Sequence, residues 1–211
     1  MDATILPLFS KVIYANDLNI DATKILKELK ENFKTSGYKY LTDGNSNVSL
    51  VGSNKSILED KKFKNIKIVI EKEFKKYVED VLRYENKFKI TTSWITKSKP
   101  NQESNYHNHN NCMFSGVLYL KANENSGGID FLNFENNRFL LKAKDYNVFN
   151  GRNYTLDAKE GRILFFPSEV YHKILKNRSS EDRYSLAFNF IPIGNIGNLE
   201  NDSHLKNLNV K

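Results

Sequence analysis

Histidine is scarce in this chain, four in 211 residues, yet two of the four stand two positions apart in Asn105-Tyr106-His107-Asn108-His109-Asn110-Asn111. Side chains two apart on an extended segment point to the same side, so His107 and His109 can converge on one point. Such a pair is either a feature of a solvated, Asn-rich loop or half of a metal site. The run Ser115-Gly116-Val117-Leu118-Tyr119-Leu120 follows directly and would seat the pair on a rigid strand. A third histidine, His172, comes 65 positions after His107, behind an apolar run at 163–166 bracketed by Gly161 and Pro167. Taken alone, His172 can also be a half-buried strand residue capped by a backbone carbonyl. Eleven residues further on, Arg183 opens Arg-Tyr-Ser-Leu-Ala-Phe-Asn-Phe. Alternation sets Arg183, Ser185, Ala187 and Asn189 on one face and Tyr184, Leu186, Phe188 and Phe190 on the other. Arginine almost never enters a core unpaired, so the first face reads as the lining of a polar pocket. An anion that takes a bidentate guanidinium and a hydroxyl would satisfy it.

These residues need a scaffold, and the hydrophobic periods describe one. Residues 20–36 place Ile20, Ile25, Leu26, Leu29 and Phe33 at helical spacing, with Asp21 as N-cap and Gly37 as the stop. Ile66, Val69, Ile70, Phe74, Tyr77, Val78, Val81 and Leu82 repeat every three or four residues, a second helix beside the first. A short apolar segment at 5–12 suits an edge strand, and a polar Gly- and Asn-rich loop runs through about residue 60. From residue 87 the period changes to two: KFKITTSWIT, MFSGVLYLKA, GGIDFLNF, YNVFN, NYTLD, GRILFFP, HKILK and RYSLAFNFIP, with turn residues between them. Eight short strands favour a jelly roll or barrel over a parallel α/β sheet. The expectation is one domain over residues 1–211, mainly β with N-terminal helices (α+β). Residues 1–86 would supply a strand and two buttressing helices, residues 87–195 a cupin-like double-stranded β-helix (jelly roll), and residues 196–211 a polar tail. His204, in that tail, is read as a bystander.

Composition narrows the chemistry. The single Cys112 excludes an internal disulfide and any Cys-rich zinc site, so a metal here must rest on histidine and oxygen. No G-x-S-x-G elbow, P-loop or G-x-G-x-x-G occurs. The net charge of +7 admits a nucleic-acid partner, but the positive residues are overwhelmingly scattered lysines among many Asn and Ile, the mark of an AT-rich coding bias. No apolar run approaches membrane-spanning length and the N-terminus lacks a signal-peptide pattern, so a cytoplasmic protein is expected, in the host cytoplasm if phage-encoded.

In order, the chain carries His107-x-His109; Gly127-Gly128-Ile129-Asp130-Phe131; Gly161-x-x-x-Phe165-Phe166-Pro167-Ser168-x-x-x-His172; and Arg183-x-Ser185. This pattern resembles the Fe(II)- and 2-oxoglutarate-dependent oxygenases of the prolyl-hydroxylase-like superfamily. SWIT, HNHNNCMFSGVLYLK and RYSLAFN look closest to members from marine bacteria and their phages. The resemblance covers roughly residues 90–191. It implies a dioxygenase, in outcome a hydroxylase, that couples decarboxylation of 2-oxoglutarate to succinate with oxidation of a second substrate by dioxygen. His107 and His172 would be the two histidines of the iron site. Arg183 with Ser185 would hold the distal carboxylate of 2-oxoglutarate, Tyr119 would line the co-substrate pocket, and Trp94 would line it or pack the core. The departure is at His109, where the superfamily usually has a carboxylate. His109 is therefore the expected third ligand, with Asp130 as its competitor and Asn111 a weaker one. A non-catalytic jelly-roll module and a cupin-like metalloenzyme that does not use 2-oxoglutarate are the alternatives. Arg183 discriminates, because in the last case it would face solvent. Primary substrate and oligomeric state are not legible.

Overall fold

The computed structural model describes residues 3–35, 40–42, 49–51, 56–133, 141–197 and 202–210, with side chains undescribed for 32–35, 40–42 and 49–51. Eleven strands and two α-helices follow in chain order: β1 (Tyr14–Asp17), α1 (Ala22–Thr35), β2 (Tyr40–Thr42), β3 (Ser49–Val51), α2 (Lys64–Lys75), β4 (Lys87–Ser98), β5 (Phe114–Lys121), β6 (Gly128–Leu132), β7 (Asn153–Asp157), β8 (Arg162–Pro167), β9 (His172–Ile174), β10 (Arg183–Ile196) and β11 (Leu205–Leu208). The larger sheet runs β1-β8-β5-β10-β4-β3-β2, with β11 added to β10, and the smaller runs β7-β6-β9. Each pairing between these strands is antiparallel. Two facing antiparallel sheets closed in this order make the double-stranded β-helix the sequence led us to expect.

The two faces of β10 separate structure from chemistry. Tyr184, Leu186, Phe188 and Phe190 join the core formed with α1 and α2, where the Phe74 ring stacks on Phe190 with centroids 3.7 Å apart. Asp21 caps α1, its Oδ1 accepting from the Lys24 amide at 2.8 Å, and Ala22, Leu26 and Leu29 are buried. α2 buries Ile66, Ile70 and Phe74, then widens into a π-helical turn, Lys76–Val81, that keeps Tyr77 and Val78 on the same apolar side. Glu73, buried on that helix, is held by Tyr14 Oη (2.9 Å), Asn16 Nδ2 (3.0 Å) and Lys76 Nζ, so β1 and α2 are tied by hydrogen bonds as well as packing. The second core, Tyr119, Ile129, Phe131, Ala158, Leu164 and Phe166, fills the space between the two sheets.

Several expectations change. The edge strand is β1, not residues 5–12, where Ile5 and Phe9 are 71% and 98% exposed. Seven of the eight period-two runs become strands, but Tyr146-Asn147-Val148-Phe149-Asn150 folds as a turn. Asn147 Oδ1 accepts from the Phe149 amide and Asn150 Oδ1 from the Asn147 amide, both at 2.8 Å. Short amide side chains thus take the backbone donors that a ladder would have used. The segment read as a loop to residue 60 carries β2 and β3 and a 3₁₀ turn, Ile57–Glu59, whose Ile57 and Leu58 are buried. The segment read as a polar tail supplies β11. Phe33, as a side chain, and Gly37 lie outside the described residues.

Candidate metal centre

His172 is the first residue of β9, delivered there by the turn after β8. The preceding stretch 104–109 runs antiparallel to 168–174. Ser104 N donates to Ile174 O (3.0 Å), His107 N to His172 O (2.9 Å), His172 N to His107 O (2.8 Å) and His109 N to Ser168 O (3.0 Å). His107 and His172 thus form a hydrogen-bonded antiparallel pair, whose side chains stand side by side on one face. His109, two residues on, joins them. The ring centroids lie 4.5 Å apart for His107 and His172, 5.0 Å for His109 and His172, and 5.4 Å for His107 and His109. One nitrogen from each ring lies within 4.8 Å of the others.

The other nitrogens are taken. His107 Nδ1 meets Asn105 O and His172 Nδ1 meets Val170 O, each at 2.9 Å, while His109 Nδ1 meets Asn189 Oδ1 at 2.9 Å and Ser115 Oγ at 2.8 Å. Carbonyl oxygens only accept, so Nδ1 carries the proton and Nε2 keeps its lone pair, the arrangement that orients metal-binding imidazoles. Burial, with the neighbouring imidazoles adding to it, holds His172 well below its ordinary range, at about 3. Burial likewise lowers His109 to about 4, against the opposing hydrogen bond it donates to Asn189. Both rings are neutral at physiological pH. Three convergent imidazole nitrogens suit a divalent first-row metal.

The competitors for third ligand fall away. Asp130 pairs with Lys173 in the β6–β9 ladder, one residue out of phase with Phe131 opposite His172, so its carboxylate faces the other side of the sheet. There it accepts from Asn153 Nδ2 (2.9 Å), Thr155 Oγ1 (2.6 Å) and the Tyr106 hydroxyl. Asn111 is exposed. Trp94 packs edge-on to His109 with centroids 5.7 Å apart, so it lines the centre. His204 sits by β11, its Nδ1 3.2 Å from Gly197 O, apart from the cluster.

Arg183 is only 2% exposed. Its guanidinium donates to Ser126 O and, at 2.9 Å, to Ser98 Oγ, with Leu175 O at 3.5 Å, and no carboxylate among the described residues comes within ion-pair reach. A buried cation with neutral acceptors alone is costly. Burial works against its charge, yet guanidinium stays protonated. Gly127 explains how Ser126 O reaches it: at φ +70°, with Lys176 O only 2.6 Å from where a Cβ would stand, the turn tolerates no side chain. Ser185 and Tyr119, register partners on β10 and β5, are buried on the same face, and burial pushes the Tyr119 phenol up to about 12 while the Arg183 charge opposes the rise.

The order along the inner face of β10 is then Arg183, Ser185, Ala187, Asn189. Ile191 and Pro192 beyond them share with His109, Asn108, Asn110 and Glu169 the lining of an open cavity of about 490 Å³. Leu175, whose carbonyl Arg183 faces, is three residues from His172, a separation of about 10 Å on extended chain. The roles of Asn189, Ser115 and Tyr106 escaped the sequence reading, although Asn189 had been placed on the Arg183 face and Tyr106 adjoins His107.

The family described as "Putative 2OG-Fe(II) oxygenase" matches residues 92–189. No curated protein matches the chain. Among solved structures, a prolyl-4-hydroxylase of Pseudomonas putida is 15% identical, with TM-score 0.60 over 89% of this chain and 96% of that one. HygX of Streptomyces hygroscopicus, with nickel, 2-oxoglutarate and hygromycin B bound, is 10% identical, with TM-score 0.57 over 86% and 83%. A viral collagen prolyl hydroxylase from Paramecium bursaria chlorella virus, complexed with 2-oxoglutarate, is 13% identical, with TM-score 0.52 over 84% and 94%. The family match runs from within β4 to within β10, the stretch that holds all three imidazoles and the buried guanidinium, and over that stretch the chain is similar to the Fe(II)- and 2-oxoglutarate-dependent oxygenases.

Proposed function

We propose that His107, His109 and His172 hold Fe(II) and that Arg183, with Ser185 and Tyr119, holds the distal carboxylate of 2-oxoglutarate. One observation carries this assignment: three convergent imidazoles and a buried guanidinium, with no carboxylate among the described residues within its ion-pair reach, lie along the same face of β10, His109 at Asn189 and Arg183 six residues before it. A metal dication on imidazole ligands and an arginine with only neutral acceptors together leave a positive excess that a dicarboxylate would balance. Bound there, Fe(II) with 2-oxoglutarate and dioxygen supplies oxidative decarboxylation to succinate and CO2, coupled to oxidation of a second substrate.

The protein's own residues bind, orient and shield. The Asn105, Val170 and Asn189 oxygens fix the imidazoles with Nε2 inward. Ser98 and Ser126 O hold the guanidinium in place. Trp94, Phe166 and Phe131 wall the centre with apolar surface and limit water. The cavity beyond His109, lined by asparagine amides and Glu169, is where a hydrogen-bonding substrate would approach. Burial of Arg183 argues against a cupin-like enzyme that ignores 2-oxoglutarate, whose arginine would have no anion to meet. The test is anaerobic reconstitution with Fe(II), then air and 2-oxoglutarate. Succinate should form, slowly without substrate, and His172→Ala should remove it together with iron binding. Stoichiometric iron at native affinity in His172→Ala would remove these residues from the assignment.

A further inference from the structure

Asp130, excluded as a ligand, is 2% exposed on the outer side of the smaller sheet. β7 supplies two of its donors, Asn153 and Thr155, and the third is the hydroxyl of Tyr106. Tyr106 belongs to the 104–109 segment, and β9 lies between that segment and β6. Its side chain therefore crosses a whole strand, two spacings or about 9.6 Å of sheet, to reach the carboxylate. Lys173, the β9 residue beneath the crossing, places its Nζ 4.8 Å from the Tyr106 ring centroid. One buried carboxylate thus gathers β7, β6, β9 and the added segment from outside.

Consecutive residues on extended backbone face opposite sides. Fixing Tyr106 outward consequently fixes the pleat that turns His107 inward. We propose that Asp130, acting through Tyr106, is a positioning residue for the metal centre, with the Asp130–Tyr106 clamp setting where His107 presents its Nε2. This rests on the reading that His107, His109 and His172 bind the metal.

Co(II) titration of the metal-free protein tests it, with the d–d absorption as a report on ligand geometry. Tyr106→Phe should fold normally, weaken Co(II) about tenfold, as partners behind a metal ligand commonly do, and shift the d–d bands. With Fe(II) saturating, it should lower kcat but leave KM for 2-oxoglutarate unchanged, since Arg183 is untouched. Asp130→Asn should act in the same direction. Wild-type Co(II) affinity and spectrum in Tyr106→Phe would overturn the clamp, and that variant decides if Asp130→Asn does not fold. His172→Ala run in parallel separates the two claims. If it also binds Co(II) as wild type, the metal assignment fails. If it loses Co(II) while Tyr106→Phe is unaltered, only the clamp fails.

Discussion

At the scale of single residues, the Nδ1 partners decide what the imidazoles can do. A histidine whose Nδ1 donates to a carbonyl offers Nε2 and little else, and burial denies it a second proton. His172 and His109 are held near 3 and 4, whereas an unfolded histidine titrates near 6.5. Between those values the unfolded chain binds protons that the folded one refuses, so stability of the metal-free protein is full above about 6.5 and falls as pH drops. Each histidine contributes up to about 1.4 kcal/mol per pH unit in that window. Urea unfolding at pH 7 and pH 5 should show the loss, and His172→Ala should reduce it; identical slopes would contradict a buried neutral His172. Arg183 makes a separate prediction. Arg183→Ala should keep iron but raise KM for 2-oxoglutarate at least tenfold, since truncating a buried charged hydrogen-bond partner costs about 2–5 kcal/mol; steady-state kinetics with varied 2-oxoglutarate checks it. The spacing of His107, His109, His172 and Arg183 was legible because period two needs no coordinates. The exclusion of Asp130 was not, since it depends on the register of β6 against β9.

At the scale of elements, β10 does two jobs because its residues alternate from Arg183 to Phe190: Arg183, Ser185 and Asn189 face the smaller sheet, and Tyr184, Leu186, Phe188 and Phe190 face the helices. Phe74 is the hinge of that arrangement, stacked on Phe190 and edge-on to Phe88, Phe114 and Phe165. Phe74→Ala should destabilise the fold by about 3–5 kcal/mol, a core aromatic truncation. Because α2 lies behind the sheet, protein that remains folded should bind metal with wild-type affinity; a chemical-denaturation curve paired with a Co(II) titration reads both. Helices and long strands were visible in the periodicity, including the Asp21 cap. What misled was local competition. Residues 146–150 alternate like a strand, but Asn147 and Asn150 capture the backbone amides themselves. Ile5, Leu6 and Leu8 look like a strand yet remain exposed. β11 is short and mostly exposed, and its pairing with β10 leaves no periodic trace.

At the scale of the molecule, α1 and α2 cover one face of the larger sheet, the smaller sheet covers the other, and the chemistry lies between the sheets. Within that space Arg183, the imidazoles and the open cavity follow one another along β10, so on the proposed assignment co-substrate and substrate would meet the metal from opposite sides. Lys27–Glu31, Lys67–Glu71 and Lys75–Glu79 are helical pairs at the surface, each worth about a few tenths of a kcal/mol. Substrate identity stayed illegible because the groups around the cavity carry no spacing that names a ligand. The decisive measurement is anaerobic titration of the Fe(II)-loaded protein with 2-oxoglutarate, followed by visible absorption. A weak charge-transfer band saturating at one equivalent should appear in the wild type, need far more 2-oxoglutarate in Arg183→Ala, and vanish in His172→Ala. A wild-type protein that loads iron yet gives no band, or a His172→Ala protein that gives the same one, would contradict the assignment.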